Sequence, residues 1–518
     1  MYQYNLGLKF AQIASQYAEK DALIFSATEI YSFREIDLLS NQIARYLLMK
    51  GVNQDEVVCI LGEKTVYVYC TILACIKTGI IYSVFDPDSP PERFRRIVRK
   101  CSPKFIFSND EFKSKFYAAE EVIEWCCINY DEQFYEDLNH IDSSEIHQAN
   151  NVHGNSIAYI MFTSGSTGFP KGACMTHLNI LNFINWAGQT YKILPEDVFT
   201  NLNPLFFDNS VFDFYASIFS GSSLVPFSKA QVSDPEVLMR RVDEFKCNSW
   251  FSVPSLLIFL QTMKAFETHS FHSLKRIIFG GEGYPKAKLK PLFELYSSRI
   301  SFFNVYGPTE CTCICSSYYV LDADFEDISG FLPLGNLIEN FAYHILDDQN
   351  VKVNEGEVGE LCLLGPQVGK GYYNEENLTE IAFIQNPYNY KYKDVIYKTG
   401  DLVFYNVLDD KIYICGRKDN QIKHMGYRIE LEEIENALSC VKGVSQNVVI
   451  QIQKNGFSKL HAIIAGDINF DENQIKRELA NLIPLYMIPA QYTFMMELPK
   501  NTNGKIDRKK IQQLINPG

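Results

Sequence analysis

Short apolar runs alternate with amphipathic segments along the first part of the chain. Ser32 and Glu35 form a capping box in front of an amphipathic segment, which predicts the start of a helix. The apolar run at residues 57–61 predicts a strand, a second helical run ends at Gly79, and residues 80–85 predict another strand. This alternation of helices and strands indicates an α/β fold with a largely parallel sheet.

Three later apolar runs each lead directly into a glycine-rich loop. IAYIMF (157–162) precedes TSGSTG, RIIF precedes GGEG (280–283), and SFFNV precedes YGPTE (306–310). The first run has no polar face, which predicts a strand buried on both sides. Loops at the carboxyl ends of sheet strands commonly form the site of open α/β folds, so we expect the three loops to converge.

The pattern changes in the last third of the chain. Residues 333–416 contain short apolar segments between glycines, which predict the strands of a small barrel or meander. After GRKDN a compact α/β module is expected, with a helix at 429–438 and a strand at 445–451. We therefore predict a large N-terminal domain at 1–418 and a small C-terminal domain at 419–518.

The loop TSGSTGFPKG has the composition of a phosphate-binding loop. Its glycines allow backbone N–H groups to turn inward, while its hydroxyl groups and its lysine add donors and a positive charge. Phe169 and Pro170 separate the second glycine from the lysine, so the loop lacks the Walker spacing of P-loop NTPases. The alternative is an ordinary flexible turn. The residues predicted to hold the phosphates of ATP are Thr163, Ser164, Gly165, Ser166, Thr167, Gly168 and Lys171.

Charge and composition narrow the classes of partner. The net charge of −14 opposes nonspecific binding to nucleic acids or anionic membranes. Apolar runs such as residues 67–76 are shorter than the roughly 20 residues that span a bilayer. The cysteines lie mostly within apolar segments, as buried side chains in a reducing compartment do, so a cytoplasmic protein is expected. Cys311, Cys313 and Cys315 lack the accompanying CxxC or histidine pair of a zinc site.

Seven motifs in register carry a resemblance to a known family. They are TSGSTGFPKG, FDNSVFDFYASIFSG, NVYGPTE, GELCLLG with GYYN, YKTGDL, GRKDNQIKHMGYRIELEEIE and LPKNTNGKIDR. The chain resembles, over nearly its whole length, the adenylate-forming enzymes of the acyl- and aminoacyl-activating superfamily. It is most similar to adenylation domains of nonribosomal peptide synthetases of the stand-alone type. The resemblance implies that the C-terminal domain is a mobile α+β domain.

The resemblance assigns nucleotide-binding roles. It implies that Asn304 and Tyr306 contact adenine, that Asp401 accepts the ribose hydroxyls, and that Arg417 binds the ribose or a phosphate. Asp401 and Arg417 could each instead belong to a surface ion pair. The resemblance also places Thr309 and Glu310 near the phosphates as catalytic residues. There, Glu310 would help to hold Mg²⁺, a hard cation that prefers carboxylate oxygen.

The same resemblance implies a moving catalytic lysine. Lys505 would bridge the substrate carboxylate and the α-phosphate of ATP, where a positive charge offsets the repulsion between the two anions. Asp419 would be the hinge about which the small domain rotates. Lys423 and Gly426 would then lie beside an incoming pantetheine thiol, where related chains often have arginine in place of Met425.

The resemblance matches Asp208 to the aspartate that pairs with the α-ammonium group of an amino acid. A buried carboxylate requires a cation nearby, and this ammonium group would supply it. A helix cap or an internal salt bridge is the alternative. Motif alignment gives the other pocket residues, which are Asn209, Phe212, Phe251, Ile278, Gly280, Val305, Cys313 and Ile314. Their mostly apolar character favours a neutral L-amino acid such as isoleucine or valine, with threonine, proline or alanine as alternatives.

The expected reaction joins ATP and a neutral amino acid into an aminoacyl adenylate, releasing pyrophosphate. The aminoacyl group would pass to the phosphopantetheine arm of a separate carrier protein, because the chain carries no carrier motif of its own. An acyl-CoA-type ligase for plain carboxylic acids is the nearest alternative, which Asp208 disfavours. A catalytically silent nucleotide or amino-acid sensor is the alternative outside the enzymes.

Overall fold

The chain divides into a large and a small unit. The computed structural model describes residues 3–109, 126–165, 170–267, 271–454, 457–466, 471–500 and 506–515. The first unit comprises Met1–Pro87, Cys101–Met161 and Gly172–Lys418. The second comprises Asp88–Lys100, Phe162–Lys171 and Asp419–Gly518. Four predicted site residues lie outside the described residues, namely Ser166, Thr167, Gly168 and Lys505.

The strands are short in the first part of the chain and longer near its end. They are β1 (Asp21–Ser26), β2 (Glu29–Ser32), β3 (Val57–Ile60), β4 (Ile81–Val84), β5 (Phe105–Ser108), β6 (Cys126–Asn129), β7 (Ile157–Thr163), β8 (Lys171–Thr176), β9 (Val198–Asn201), β10 (Ser223–Pro226), β11 (Ser249–Ser252), β12 (Arg276–Gly280), β13 (Ser301–Tyr306), β14 (Ser316–Tyr319), β15 (Asn336–Leu337), β16 (Ala342–Leu346), β17 (Gly359–Leu364), β18 (Phe383–Gln385), β19 (Val395–Asn406), β20 (Lys411–Arg417), β21 (Gln421–His424), β22 (Tyr427–Glu430), β23 (Val444–Lys454), β24 (Phe457–Gly466) and β25 (Gln491–Met495).

Helices connect most of these strands. They are α1 (Leu6–Gln16), α2 (Phe33–Met49), α3 (Val66–Thr78), α4 (Pro91–Cys101), α5 (Glu132–Asn139), α6 (His177–Thr190), α7 (Asn209–Val211), α8 (Lys229–Ser233), α9 (Pro235–Glu244), α10 (Pro254–Thr262), α11 (Lys286–Tyr296), α12 (Glu376–Ala382), α13 (Leu431–Ser439), α14 (Glu472–Leu479) and α15 (Arg508–Ile515). A π-helical turn, Phe212–Ala216, continues directly from α7.

Two mixed sheets and one antiparallel sheet organise the first unit. The nine-stranded sheet has the order β15-β14-β13-β12-β11-β9-β10-β1-β2, and its centre from β13 to β1 is parallel. The six-stranded sheet has the order β6-β5-β3-β4-β7-β8 and is parallel from β6 to β7. Strands β16 to β20 form the antiparallel sheet. These sheets confirm the predicted α/β class and the change of character after residue 333.

Local signals in the sequence agree with the first helices. The Ser32 hydroxyl accepts a hydrogen bond from the Glu35 N–H, and the Glu35 carboxylate accepts one from the Ser32 N–H, so the predicted capping box starts α2. Helix α3 ends at Gly79, whose φ of +72° is the left-handed conformation that favours glycine at a helix end. Both predictions are confirmed. They could be made from the sequence because each feature depends only on residues that are close together along the chain.

Two details of the expected structure require correction. The helix–strand alternation suggested one largely parallel sheet, but the strands before the three glycine-rich loops belong to two sheets, since β12 and β13 are neighbours in the nine-stranded sheet whereas β7 belongs to the six-stranded sheet. The helix expected at 429–438 begins at Leu431, since Tyr427–Glu430 forms strand β22 against β21. The apolar periodicity of this segment did not reveal that its first residues pair as a strand.

The second unit contains a hairpin and a three-stranded sheet. Strands β21 and β22 form the hairpin, and β23, β24 and β25 form the sheet. Helix α13 packs on this sheet through an apolar cluster that includes Ile434, Leu438 and Ile464. No helix in the described parts of the chain combines the length and the apolar character needed to cross a bilayer.

A buried ion pair provides a test of the packing in the first unit. Asp197 has no exposed surface, and its carboxylate accepts hydrogen bonds from Arg276 Nη2 at 2.6 Å and Asn248 Nδ2 at 2.8 Å. Replacing Asp197 with alanine would leave the buried Arg276 charge without this partner, so Asp197→Ala should lower the free energy of unfolding by about 3–5 kcal/mol. Urea denaturation measures this change.

The matched control is Glu294→Ala on helix α11. Glu294 forms an exposed pair with Lys290 at 3.8 Å. Exposed pairs contribute little, so the control should change the free energy of unfolding by less than about 0.5 kcal/mol. If both variants lost the same free energy of unfolding, the buried pair would contribute no more to stability than the exposed pair.

Candidate functional site

Three neighbouring strands present the predicted pocket residues on one face of the nine-stranded sheet. Phe251 on β11 pairs with Ile278 on β12, and Gly280 on β12 pairs with Val305 on β13. Ile278 and Gly280 are two residues apart, and paired residues of parallel strands face the same side, so all four share a face. A Cβ atom at Gly280 would lie 2.5 Å from Val305 Cγ2. Val305 therefore occupies the space beside this glycine.

Phe212 packs against the same face. It is fully buried, and its ring meets that of Phe251 in an edge-on contact with centroids 5.2 Å apart. Tyr191 and Phe199 also contact the Phe212 ring. The two phenylalanines that the sequence predicted for the pocket thus lie side by side.

The backbone between β13 and β14 follows an unusual path. Thr312 and Cys313 both have positive φ values, +60° and +71°, and a Cβ atom at Gly307 would lie only 2.1 Å from the Cys313 carbonyl oxygen. Only glycine allows so close an approach. The Thr312 hydroxyl donates a hydrogen bond to the Gln367 carbonyl at 2.9 Å. Cys313 and Ile314 are both buried on this path, and the Cys315 N–H that follows them donates to the Tyr306 carbonyl at 2.8 Å.

The cysteines of this segment are packing residues. Cys311, Cys313 and Cys315 are all buried, and burial raises the pKa of the Cys313 thiol well above its usual value. The segment is not a strand, because Thr312 and Cys313 are left-handed. Among the described residues no group of three or more histidine, cysteine, aspartate or glutamate side chains is arranged to hold a metal ion.

Asp208 and Thr309 are joined by a hydrogen bond. The Thr309 hydroxyl donates to Asp208 Oδ2 at 2.6 Å across 101 residues of sequence. Asp208 precedes the short helix α7, but its side chain does not cap that helix. The alternative of a helix cap is therefore wrong for this aspartate. Its partly exposed carboxylate is held by a neutral hydroxyl, an arrangement that can also accept a cation.

Glu310 is fully buried beside a tyrosine. The Tyr372 hydroxyl donates to Glu310 Oε1 at 2.7 Å, and the Gly369 N–H donates to the Glu310 carbonyl at 2.8 Å. The carboxylate is a hard oxygen donor of the kind that Mg²⁺ prefers. Because Mg²⁺ is commonly bound through one or two carboxylates together with phosphates and water, a single glutamate here fits the ion.

Asp401 joins two of the predicted nucleotide-binding residues. The Tyr306 hydroxyl donates to Asp401 Oδ2 at 2.5 Å, and Arg417 Nη1 donates to Asp401 Oδ1 at 2.6 Å. Burial and the neighbouring Asp401 carboxylate raise the pKa of Tyr306 well above its usual value, which keeps the phenol protonated as a donor. Arg417 also donates to the Thr399 carbonyl at 3.1 Å. Asp401 and Arg417 are thus partners of each other in a mostly buried pair.

Two predicted asparagines complete the first unit's part of the site. Asn304 on β13 donates through Nδ2 to the Pro333 carbonyl at 2.9 Å. Asn209 begins helix α7, and its amide lies next to Gly281, where a Cβ atom would come within 3.5 Å of Asn209 Nδ2. Both asparagines are partly exposed, so their remaining hydrogen-bonding groups can meet a ligand.

The described residues of the phosphate-type loop belong to the second unit. Thr163 ends strand β7, Gly165 is buried, and the Ser164 hydroxyl donates to the Arg428 carbonyl at 2.8 Å. Lys171 begins β8. Burial raises the pKa of Glu430, and the positive charge of Lys171 offsets part of this rise. Within the described part of the chain, the buried Thr163 hydroxyl oxygen has no hydrogen-bond partner.

A tight hairpin carries the residues predicted for the thiol tunnel. Met425 and Gly426 connect β21 and β22 with φ values of +52° and +82°, the pattern of a type I′ turn. Lys423 lies on β21, and its carbonyl accepts a hydrogen bond from Gln451 Nε2 at 2.7 Å. Asp419 is the first residue of the chain's return to this unit, and its carboxylate accepts a hydrogen bond from the Gln421 N–H.

Sequence reasoning missed side chains that hold the predicted ones in place. Tyr372 supports Glu310, and Thr399 supports Asp401 through a hydrogen bond from the Asp401 N–H at 3.0 Å. Both lie within the motifs GYYN and YKTGDL, yet their roles depend on contacts with residues far along the chain. The motifs alone therefore do not show which side chain meets which.

The sequence is similar to one protein family and to several named proteins. The chain matches the AMP-binding enzyme family over residues 10–373. It is 31% identical to the D-alanine--D-alanyl carrier protein ligase of Listeria monocytogenes serotype 4a (strain HCC23), a match covering 94% of this chain and 94% of the ligase. It is also 31% identical to surfactin synthase subunit 3 of Bacillus subtilis (strain 168). That match covers 97% of this chain but only 38% of the subunit.

A solved structure shows the same fold. The adenylation domain AlmE of Vibrio cholerae, in complex with glycyl-adenosine-5'-phosphate, superposes with a TM-score of 0.84 at 22% identity, covering 100% of this chain and 99% of AlmE. The family match extends over more than half of the chain, and the Listeria ligase matches it almost from end to end. The chain therefore belongs to the AMP-binding enzyme family and is an adenylate-forming enzyme of the adenylation-domain type.

Proposed function

We propose that the protein activates a small neutral amino acid with ATP and transfers it to the phosphopantetheine thiol of a carrier protein. The substrate carboxylate attacks the α-phosphorus, a new carboxyl–phosphate bond forms, and the bond to pyrophosphate breaks. The resulting aminoacyl adenylate then reacts with the thiol to give a thioester and AMP. The observation that carries this proposal is the partly exposed Asp208 carboxylate, which accepts a hydrogen bond from Thr309 and precedes the short helix that leads to the buried Phe212.

The pocket supports a neutral side chain. Its predicted lining is apolar and buried at Phe212, Phe251, Ile278, Val305 and Ile314, so a charged side chain would lose hydration without gaining a partner. Isoleucine and valine remain our favoured L-amino acids. The name of the Listeria relative adds D-alanine to the alternatives threonine, proline and alanine. Apolar pockets separate neighbours by about 1–3 kcal/mol per methylene, so a substrate panel must include all of these.

The charged groups support the nucleotide half of the reaction. Asp401 would accept the ribose hydroxyls, and Arg417 would bind the ribose or a phosphate. Glu310 would help to hold Mg²⁺, which when bound neutralises charge on the phosphates. Lys505 would meet the substrate carboxylate and the α-phosphate. Rotation of the small domain about Asp419 after adenylate formation would then withdraw Lys505 and bring Lys423 and Gly426 to the thiol. We place the reaction in the cytoplasm, as the sequence predicts.

Amino-acid-dependent exchange of pyrophosphate into ATP tests the reaction class. We expect exchange with at least one neutral amino acid from a panel that includes both enantiomers of alanine and plain carboxylic acids. Lys505→Ala should lower the exchange rate at least about a hundredfold, because a charge that stabilises the transition state is removed. Lys509→Ala removes an exposed lysine of α15 and should change the rate less than about twofold.

The panel separates the alternatives. Exchange with plain acids alone would favour the ligase of the CoA type. No exchange at all, with ATP still bound, would favour a nucleotide sensor. Equal losses for the two lysine variants would contradict the special role of Lys505.

A second test concerns the ammonium group of the substrate. Asp208→Asn removes the charge but keeps the shape of the side chain. The loss of transition-state stabilisation should be about 2–5 kcal/mol, so kcat/KM for the amino acid should fall roughly thirtyfold or more. The deaminated analogue of the same substrate has no ammonium group, and its weak activity should not fall. A parallel loss for both compounds would mean that Asp208 supports the fold of the site rather than binding the ammonium group.

A third test concerns the ribose. Asp401→Asn should raise KM for ATP about tenfold, and it should abolish the preference for ATP over 2′-deoxy-ATP and 3′-deoxy-ATP. Tyr306→Phe removes only the hydrogen bond to Asp401 and keeps the aromatic face, so a smaller rise in KM is expected. If Asp401→Asn keeps the full preference for ATP, Asp401 serves the ion pair with Arg417 and not the nucleotide.

A further inference from the structure

A buried polar network lies directly behind the predicted amino-acid pocket. Lys64 follows β3 and donates through Nζ to the Asn201 carbonyl at 2.6 Å. Asp213 has no exposed surface, and its Oδ2 accepts hydrogen bonds at 3.0 Å from both Asn201 Nδ2 and Asn203 Nδ2. The Tyr69 hydroxyl donates to Asn201 Oδ1 at 2.6 Å. The network therefore links the segment after β3 and helix α3 to the end of strand β9 in the nine-stranded sheet.

The network reaches the two pocket phenylalanines. Asn203 Nδ2 also donates to the Phe251 carbonyl at 3.1 Å, which connects Asp213 to strand β11. Asp213 immediately follows Phe212 on the π-helical turn. The rings of Phe212 and Phe251 are in edge contact 5.2 Å apart. A shift of Asn203 or Asp213 would therefore move one ring relative to the other.

The charged groups of this network are held in an environment that shifts their pKa values. Burial raises the pKa of Asp213 to about 7 and lowers the pKa of Lys64 to about 7, while each charge partly offsets the shift of the other. Asp213 Oδ1 is buried and has no hydrogen-bond partner among the residues that the structure describes. Hydrogen bonds between buried polar groups fix the geometry of the groups that they join.

We propose that Lys64, Asn203 and Asp213 are positioning residues that set the width of the amino-acid pocket by holding Phe212 and Phe251 in edge contact. The nature of the ligand rests on the proposed function. The network would act through the two rings and would not touch the substrate. It should therefore influence which aliphatic side chain is accepted, and it should leave the nucleotide half of the reaction unchanged.

The test compares substrates in the pyrophosphate-exchange assay. Asn203→Leu removes the hydrogen bonds to Asp213 and to the Phe251 carbonyl. For the preferred amino acid, KM should rise about tenfold, and the preference over its shorter and longer homologues should fall about tenfold. KM for ATP and kcat should change less than about twofold. Asp213→Asn and Lys64→Met should change the preference in the same direction, and Lys64→Arg should restore most of it because the charge is kept.

Lys77 provides the matched control. Its buried ammonium is held by Asp37, Ser40 and Asn41, each at 2.7 Å, in another part of the same unit. Lys77→Met should lower the melting temperature by a similar amount to Lys64→Met without changing the substrate preference. An equal change of preference in Lys77→Met would overturn the proposal, because general destabilisation would then explain the effect.

The outcomes separate this proposal from the proposed function. If the wild-type enzyme activates only plain acids, the proposed substrate is wrong, and the preference among acids of different chain length tests the network in the same way. If no substrate is activated, crystal structures of the wild-type enzyme and Asn203→Leu test it directly, since the two rings should separate. An unchanged preference, or unchanged ring contact, would overturn the proposal. Should Asn203→Leu not fold, Asp213→Asn supplies both measurements.

Discussion

The close approach of Gly307 to the backbone of Cys313 is the constraint on which the candidate site depends. It requires a glycine at 307 and a left-handed backbone at Thr312 and Cys313. This turn places Thr309 beside Asp208 and Glu310 beside Tyr372. One short segment therefore carries residues predicted for the phosphates and for the pocket, and it contacts Asp208, which is predicted for the ammonium group. A change in its path would disturb all three together.

Much of the fold could be predicted because its signals are local. The capping box at Ser32, the left-handed end of α3 at Gly79 and the apolar run of β12 each depend on a few neighbouring residues. The order of strands could not be predicted in the same way. Nothing near IAYIMF shows that β7 joins a different sheet from β12 and β13, since strand pairing is decided by contacts between distant segments.

The candidate site shows the same division between motif and contact. The resemblance indicated Asp401, Tyr306 and Arg417 individually, and the structure joins them through one carboxylate. Phe251 and Ile278 were predicted only as pocket residues, and the structure adds that they are in register on neighbouring strands. Lys64 and Asp213 were not predicted, because they are 149 positions apart and have no sequence pattern that connects them. Only the folded chain brings each to Asn201.

Hydroxyl donors hold the two aspartates that we assign to the amino acid and to the ribose. Thr309 donates to Asp208, and Tyr306 donates to Asp401. A neutral donor orients a carboxylate without cancelling its charge, so the carboxylate keeps its attraction for an ammonium group or its capacity to accept ribose hydroxyls. Such preorganisation reduces the entropy lost when a ligand binds. Asp401 differs from Asp208 because Arg417 already shares its carboxylate, and a ribose must therefore bind beside this ion pair or rearrange it.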